Sequence, residues 1–372
     1  MAIRTEFISG IDGAVGKIPT ANNSSIDTNL IAWKNLQVRL RKCVDGSTTF
    51  ANGVVSTYNL VYTTTNAYSG GVMALNGDIH FIPNTANRGQ KISSNGVIST
   101  YSLVYTAGSY TGGILAPNGD INFVPVTAAV GQKINAAGVV STYSLVYTTS
   151  TGAYYGGVLA PNGDTHFAPF SAIVGQKISS TGVVSTYSLV YTNTEAYGGA
   201  VLAPNGDIHF IPFGAAVGQK ISATGTVSTY TLIYTESLAY FGGVLATNGD
   251  IHFIPFWADR GQKISINGIV STYNLIYTDG IGAYSGGVLS PNGEIHFIPY
   301  EAPVGQKINI NGTVSTYSLI YTTSGAYSGG VLDSLGNIYF VPASANGSQK
   351  ISTMPGVPFT QTMCESPFFN KF

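Results

Sequence analysis

The chain reads as an all-β protein built as a closed ring of seven four-stranded antiparallel blades. Three observations predict this. The phrase NGDIHFIP at Asn76 recurs as NGDINFVP, NGDTHFAP, NGDIHFIP twice more and NGEIHFIP, then decays to LGNIYFVP at Leu335. Its glycines (Gly77, Gly119, Gly163, Gly206, Gly249, Gly293 and Gly336) fall 42 to 44 residues apart. The phrase VSTYSLVYT, or a close variant, also occurs seven times, with its first tyrosine at Tyr58, Tyr101, Tyr143, Tyr187, Tyr230, Tyr273 and Tyr317. Finally, GQKI occurs six times, with a seventh variant at residues 348–351. Seven units therefore cover residues 53–352.

Within a unit the strands follow a fixed order. GGVLA and DIHFIP flank a P-N-G turn, which suits a type I turn with glycine at the left-handed bulge position. QKIS follows a short loop, and a turn such as SNG or ATG leads into VVSTYSLVYT, a run of β-branched and aromatic residues. No segment of the unit has helical periodicity. A four-stranded unit of about 40–45 residues, repeated, is the pattern of a propeller blade, so the prediction is a seven-bladed β-propeller. A linear solenoid needs atypical capping repeats, whereas the end units here are nearly as regular as the middle ones.

The order of the phrases predicts how the ring closes. Let GGVLA be strand A at the axis, DIHFIP strand B, QKIS strand C and VSTYSLVYT strand D at the rim. The repeat region then begins with a lone D strand at residues 54–63, and its last unit has A, B and C but no D. The N-terminal outer strand is expected to join the last blade, which removes the open edges of a linear array. The glycine pair opening strand A fits a crowded position near the axis.

Residues 1–50 and 353–372 lie outside the repeat. In the first, residues 25–40 suit a short helix capped by Asp27 or Thr28, with Leu30, Trp33, Leu36 and Leu40 along one face. The second ends in a cluster of Phe368, Phe369 and Phe372, which needs burial in the ring or a partner. Both segments are expected to anchor the propeller to other subunits. Ring closure brings Cys43 and Cys364 toward one blade, where a disulfide clasp is one expectation and two free thiols the other.

Composition excludes several classes. The chain has 372 residues with 16 basic and 17 acidic side chains, a net charge of -1, and charged residues make up only 9%. A nucleic-acid binder needs clustered Lys and Arg to neutralise phosphates, so none is expected. No apolar run approaches the roughly 18 residues that span a bilayer. The first residues lack the apolar core of a signal peptide, so the expectation is synthesis in the cytoplasm without secretion. No cofactor is implied.

The periodic polar residues read as structural. All five histidines (His80, His166, His209, His252 and His296) sit at one position of the unit, replaced by Asn122 and Tyr339 in the other two. On strand B they cannot converge on one metal, so a hydrogen-bonded contact between blades is expected. Asp78, Asp120, Asp164, Asp207, Asp250 and Glu294 follow the turn, where a carboxylate bonds backbone amides. The lysines from Lys91 to Lys350 recur once per unit; they could ring one face with positive charge, but a partner on the same blade or simple solvation is the expectation. No nucleophile elbow, P-loop or HExxH motif is present.

Units differ mainly in the B–C and D–A loops, which in an up-and-down blade emerge on one face. That face carries Phe170, Phe213, Phe256, Trp257 and Tyr300 beside Arg88, Asp259 and Arg260, the candidate binding residues. Aromatic side chains with polar neighbours suit sugar or protein recognition.

The phrase GGVLAPNGDIHFIP resembles propeller repeats encoded by viruses, phages and some microbes, over about 300 of the 372 residues. The chain lacks the signatures of WD40 repeats and the kelch tryptophan. Low charge, abundant Thr, Ser, Tyr and Asn, and a Phe-rich tail are similar to phage particle proteins. That resemblance implies a non-enzymatic structural and binding module, located in the virion, that contacts host glycans or other virion proteins through the variable face. A free lectin-like carbohydrate binder is the alternative. Third is a propeller glycosidase or lyase, for which the non-periodic acids Glu195, Glu236, Asp259, Asp279 and Glu301 are the candidates.

Overall fold

A computed structural model describes residues 53–278, 280–345 and 347–353, and the expected helix at residues 25–40, Cys43, Cys364 and Asp279 lie outside them. The described residues form 28 strands and no helix. β1 (Val54–Tyr58) comes first, and blade 1 follows as β2 (Tyr68–Met73), β3 (Ile79–Pro83), β4 (Arg88–Ile92) and β5 (Ile98–Ser102). The same four strands repeat as β6 to β25 in blades 2 to 6, and blade 7 holds β26 (Tyr327–Leu332), β27 (Asn337–Pro342) and β28 (Ser348–Ser352). All seven sheets are antiparallel and four-stranded, and the seventh runs β1-β28-β27-β26. The N-terminal strand thus supplies the rim of the last blade, with Val54 opposite Ser352 and Tyr58 opposite Ser348. The fold is a seven-bladed β-propeller, as the repeats predict.

The core lies between blades rather than inside each one. Val72 and Ile82 of blade 1 pack with Tyr110, Phe123 and Ile134 of blade 2, and Val331 and Val341 of blade 7 pack with Tyr68 and Phe81 of blade 1. Each repeat supplies a fully buried tyrosine and phenylalanine, such as Tyr68 and Phe81, whose ring centroids lie 5.7 Å apart. Burying such a side chain is worth about 1.5–3 kcal/mol, so every blade needs its neighbour.

At the axis the inner strands meet through glycine. A Cβ built on Gly70, Gly112, Gly156, Gly199, Gly242, Gly286 or Gly329 would lie 3.0 to 3.9 Å from the Cα of the next blade's glycine, all the way round. A side chain at any of them would press on backbone. Gly70→Ala is expected to cost about 1–2 kcal/mol for its positive φ and about 1–3 more for overpacking. Gly96→Ala, also at positive φ but with open space around it, should show only the first part. Urea denaturation of the two variants separates the terms.

Outer strand D is shorter than the sequence suggests, ending at Tyr58 in β1 and at Ser102 in β5. The next residues leave the ladder because a glutamine of the neighbouring blade takes their amides. Gln90 Oε1 accepts from Val61 N at 3.0 Å and from Tyr62 N at 2.9 Å. Gln219 does the same for Val190 and Tyr191. The side chain is fully buried at each site, and it ties one blade's exit strand to the next blade's third strand. The preceding glycine has its own reason: a Cβ at Gly89 would fall 2.1 Å from the Tyr101 ring that lies across it.

On the opposite face from the variable loops, six of the seven repeats pair the lysine with a carboxylate, and in blade 7 Lys350 donates to the Tyr339 hydroxyl instead. Lys91 Nζ donates to Asp78 Oδ2 at 2.7 Å, and Asp78 Oδ1 accepts from Ser94 N in the C–D turn at 3.1 Å. The lysine partner on the same blade matches expectation, while the carboxylate reaches across to the second turn rather than staying local. His80 Nδ1 lies 3.3 Å from the Tyr101 hydroxyl, as His166, His209 and His252 lie by Tyr187, Tyr230 and Tyr273. These contacts are within a blade, not between blades, because the register sets each B-strand histidine on the same face as its own outer tyrosine.

Candidate functional site

The B–C and D–A loops do share one face, and the candidate site lies where that face meets the axis. The residue between the inner-strand tyrosine and the glycine ring occupies the mouth: Ser69, Thr111, Tyr155, Gly198, Phe241, Ser285 and Ser328 in blades 1 to 7. The first residue after each B strand lies beside it: Asn84, Val126, Phe170, Phe213, Phe256, Tyr300 and Ala343.

These two sets break the sevenfold symmetry in the same sector. Tyr155 packs on Phe170 with centroids 4.7 Å apart, Phe170 on Phe213 at 5.6 Å, Phe213 on Phe256 at 5.6 Å and Phe256 on Tyr300 at 5.9 Å. Phe241 closes the inner side, 5.5 Å from Phe213 and 5.3 Å from Tyr155. Contact between Tyr155 of blade 3 and Phe241 of blade 5 skips a blade, which only the convergence of strands near the axis allows. Gly198 of blade 4 makes room for it, since a Cβ there would lie 2.9 Å from the Phe241 ring.

The other arc of the mouth is hydroxylated. Ser285 Oγ donates to Tyr327 O at 2.7 Å, Ser328 Oγ to Tyr68 O at 2.8 Å, and the Ser69 and Thr111 hydroxyls lie 2.7 Å apart. Each bond joins one blade to the next. Blades 3 to 6 thus join around the mouth by aromatic contact and blades 6 to 2 by hydroxyl bonds, so one arc of the mouth is apolar and the other polar.

Burial, reinforced by the nearby Tyr300, raises the Tyr155 phenol above its ordinary pKa, and burial with the Glu301 charge raises that of Tyr300. Both stay protonated at neutral pH and can donate. Glu301 is half-buried beside Tyr300 and forms no ion pair among the described residues.

Of the residues singled out in the sequence, Phe170, Phe213, Phe256 and Tyr300 come together in the aromatic arc. Trp257 does not join it and is 43% exposed. Asp259 and Arg260 pair with each other at 2.8 Å, and Arg260 stacks over Tyr234. Arg88 lies over Tyr62, 5.4 Å from the ring centre. Asp259, Arg260 and Arg88 thus engage partners outside the arc, and Trp257 holds in blade 5 the repeat position that Glu301 holds in blade 6. Tyr155 and Phe241 were missed, although the phrases AYYGG and AYFGG carry the signal: an aromatic where most repeats have a small residue.

Fold and site together define a seven-bladed propeller with an asymmetric axial mouth. No family model matches the chain, and no curated protein matches it. Solved structures do. A streptogramin B lyase matches with a TM-score of 0.71 at 20% identity, over 82% of this chain and 99% of that one. The virginiamycin B lyase of Staphylococcus aureus has a TM-score of 0.71 at 17% identity, over 81% of this chain and 99% of that one. An extracellular domain of the hybrid two-component system BT3049 from B. thetaiotaomicron matches with a TM-score of 0.62 at 11% identity, over 82% of this chain and 42% of that one.

These likenesses establish the propeller fold, and they correct the functional expectation. The structures named above are lyases, which are enzymes, and a bacterial extracellular domain. The resemblance to phage particle proteins has no support among them, so the reading as a non-enzymatic virion module that contacts host glycans is withdrawn. That reading rested on a likeness of the repeat phrase and on composition, and abundant Thr, Ser, Tyr and Asn follow from strand and turn chemistry in any propeller of this kind.

Proposed function

We propose that the chain is a propeller lyase whose substrate, an amphipathic small molecule bearing an apolar ring, docks at the axial mouth. The observation that carries this reading is the broken symmetry. A ring of near-identical repeats offers seven equivalent sites, whereas one reaction needs a unique one, and only the mouth combines an aromatic arc with a hydroxyl arc. The likeness of fold to streptogramin B lyase supports the reaction class.

All five histidines lie in strand B, away from this face. A variant of the S. aureus enzyme described as catalytically inactive, solved with quinupristin, has a histidine replaced by alanine. With no histidine at this face among the described residues, we assign the base to a carboxylate, Glu301, whose charge acts on the Tyr300 phenol. In an elimination, its carboxylate takes a proton from the carbon next to the bond that breaks. The C–H electron pair becomes the new double bond, and the leaving group departs with its bonding pair and takes a proton from the Tyr300 or Tyr155 phenol.

Quinupristin and virginiamycin B are the probes for the test. Consumption is followed by liquid chromatography, and binding by the change in intrinsic fluorescence. Phe241→Ala is expected to weaken binding about 30- to 100-fold, the worth of a buried phenyl group. Glu301→Gln should bind as before and lower turnover by a factor of about 100 or more. Failure of the wild-type chain to bind or consume either compound would overturn the assignment of this substrate class.

A further inference from the structure

We infer that the chain has a second binding site, for a small uncharged polyol, in a cavity between blades 2 and 3 on the face opposite the mouth. The cavity has a volume of about 70 Å³ and is bordered by Asp120, Asn122, Lys133, Tyr143, Thr165 and the turn at residues 179–182. At about 10–15 Å³ per water-sized group it holds about five such groups, the size of a diol or triol. Its edge reaches the surface at Asn118 and Gly182, which are exposed.

Several departures from the repeat coincide there. Asn122 stands where five other blades have histidine, and Thr165 stands where the other six repeats have isoleucine. Both are smaller than the residue they replace, they come from adjacent blades, and both face the same space. The Tyr143 hydroxyl beside Asn122 is buried with no hydrogen-bond partner, whereas Tyr101, Tyr187, Tyr230 and Tyr273 each contact a histidine; the Tyr317 hydroxyl of blade 6 is also unpartnered, although His296 lies against its ring. Asp120 changes too. Asp78, Asp164, Asp207 and Asp250 each accept a backbone amide from the C–D turn, and Asp120 accepts none there among the described residues.

The chemistry of the walls selects the ligand. Lys133 and Asp120 neutralise each other at 2.7 Å, so the cavity gains nothing from a charged guest. What remains is a phenolic donor at Tyr143, a carboxylate oxygen as acceptor, and an amide and a hydroxyl that both donate and accept. Neighbouring hydroxyl groups on one small molecule meet that alternation, and a buried unpaired hydroxyl is costly enough to favour occupancy.

The test uses glycerol and ethane-1,2-diol as probes, observed by saturation-transfer NMR on the intact chain. Asn122→His restores the residue of the other blades, refills the space and gives Tyr143 its partner. Thr165→Ile closes the opposite wall. Each substitution copies a residue found in the other repeats, so the fold is retained, and a thermal melt checks this. Binding by the wild type that falls about tenfold or more in each variant is the expected result. Equal signals in the wild type and both variants, or a crystal soaked in glycerol that shows only water in the cavity, would overturn the proposal.

Discussion

Stability should fall steeply as the pH drops from about 6.5 to about 4, and the histidines are the cause. His80, His166, His209 and His252 are each held at about 4, first by burial and then by the positive charge of the adjacent lysine, against a smaller opposing pull from the adjacent aspartate. His296, fully buried, is lowered as well. A folded pKa below the unfolded value means that the unfolded chain takes up the proton first. The stabilising contribution is thus complete above about 6.5 and drains away toward about 4.

Each of these histidines accounts for roughly 3 kcal/mol at most over that range. Together they match the whole net stability of a typical domain, about 5–15 kcal/mol. One carboxylate opposes this trend: burial raises the Asp333 pKa, so the folded chain takes up that proton first as the pH falls. The other shifted carboxylates act at lower pH. Burial raises Asp78, Asp164, Asp207 and Asp250, but the lysine hydrogen bond and the backbone amide more than offset it and leave their pKa lowered. Glu294 is held at about 2. Their contribution is present above the ordinary carboxylate range and is lost only as the pH falls through these lower values. Urea midpoints measured from about pH 7.5 to about pH 4.5 test the account. Replacing His80 and His209 by asparagine, the residue natural to blade 2, should flatten the profile, and a wild-type midpoint that does not move across the range would refute it.

Removing the chain up to Tyr58 is expected to open the ring and abolish its single cooperative melt. β1 is held by five registered pairs against β28, by the Tyr58 hydroxyl donating to Phe340 O at 2.7 Å, and by the Tyr58 ring lying edge-on to Tyr339 at 5.2 Å. Val55 packs against the blade 7 core that includes Ile338 and Ile351. Without β1, the edge of β28 loses its partner and Ile351, now 1% exposed, meets water. An unpaired edge beside an apolar face associates, so light scattering should show oligomers whose size rises with concentration. A synthetic peptide of residues 50–63 supplied in excess should restore a monomer and a sharp melt. A truncated chain that stays monomeric with an unchanged melting temperature would show that closure does not depend on β1.

The ring, its closure and the face that varies were legible because they rest on order and spacing. Seven copies of one phrase place the strands, and a missing last D strand identifies its donor. Long-range partners were not legible. Nothing near Gln90 in the chain announces that it takes the amides of Val61 and Tyr62, so strand D was drawn too long. The site was half visible. Phe170, Phe213, Phe256 and Tyr300 stand in B–C loops where variation is plain, whereas Tyr155 and Phe241 end the D–A loops, one residue before the glycine ring, and were not singled out there. Trp257, Asp259, Arg260 and Arg88 share that face without joining the arc, because a loop position alone does not tell which side chains will meet.

The residue just ahead of each axial glycine has an unusual independence. It touches its neighbours across the mouth but contributes nothing to the cores between blades, which are built from the tyrosine before it and the aliphatics after it. Serine, threonine, glycine, tyrosine and phenylalanine all occur there in one chain without disturbing the surrounding strands. Selection can therefore rewrite this position one blade at a time, like a seven-letter word on a fixed page. A gene that copies its repeats almost verbatim still has room to evolve a new ligand, since seven codons reshape the inner side of the mouth without touching the cores.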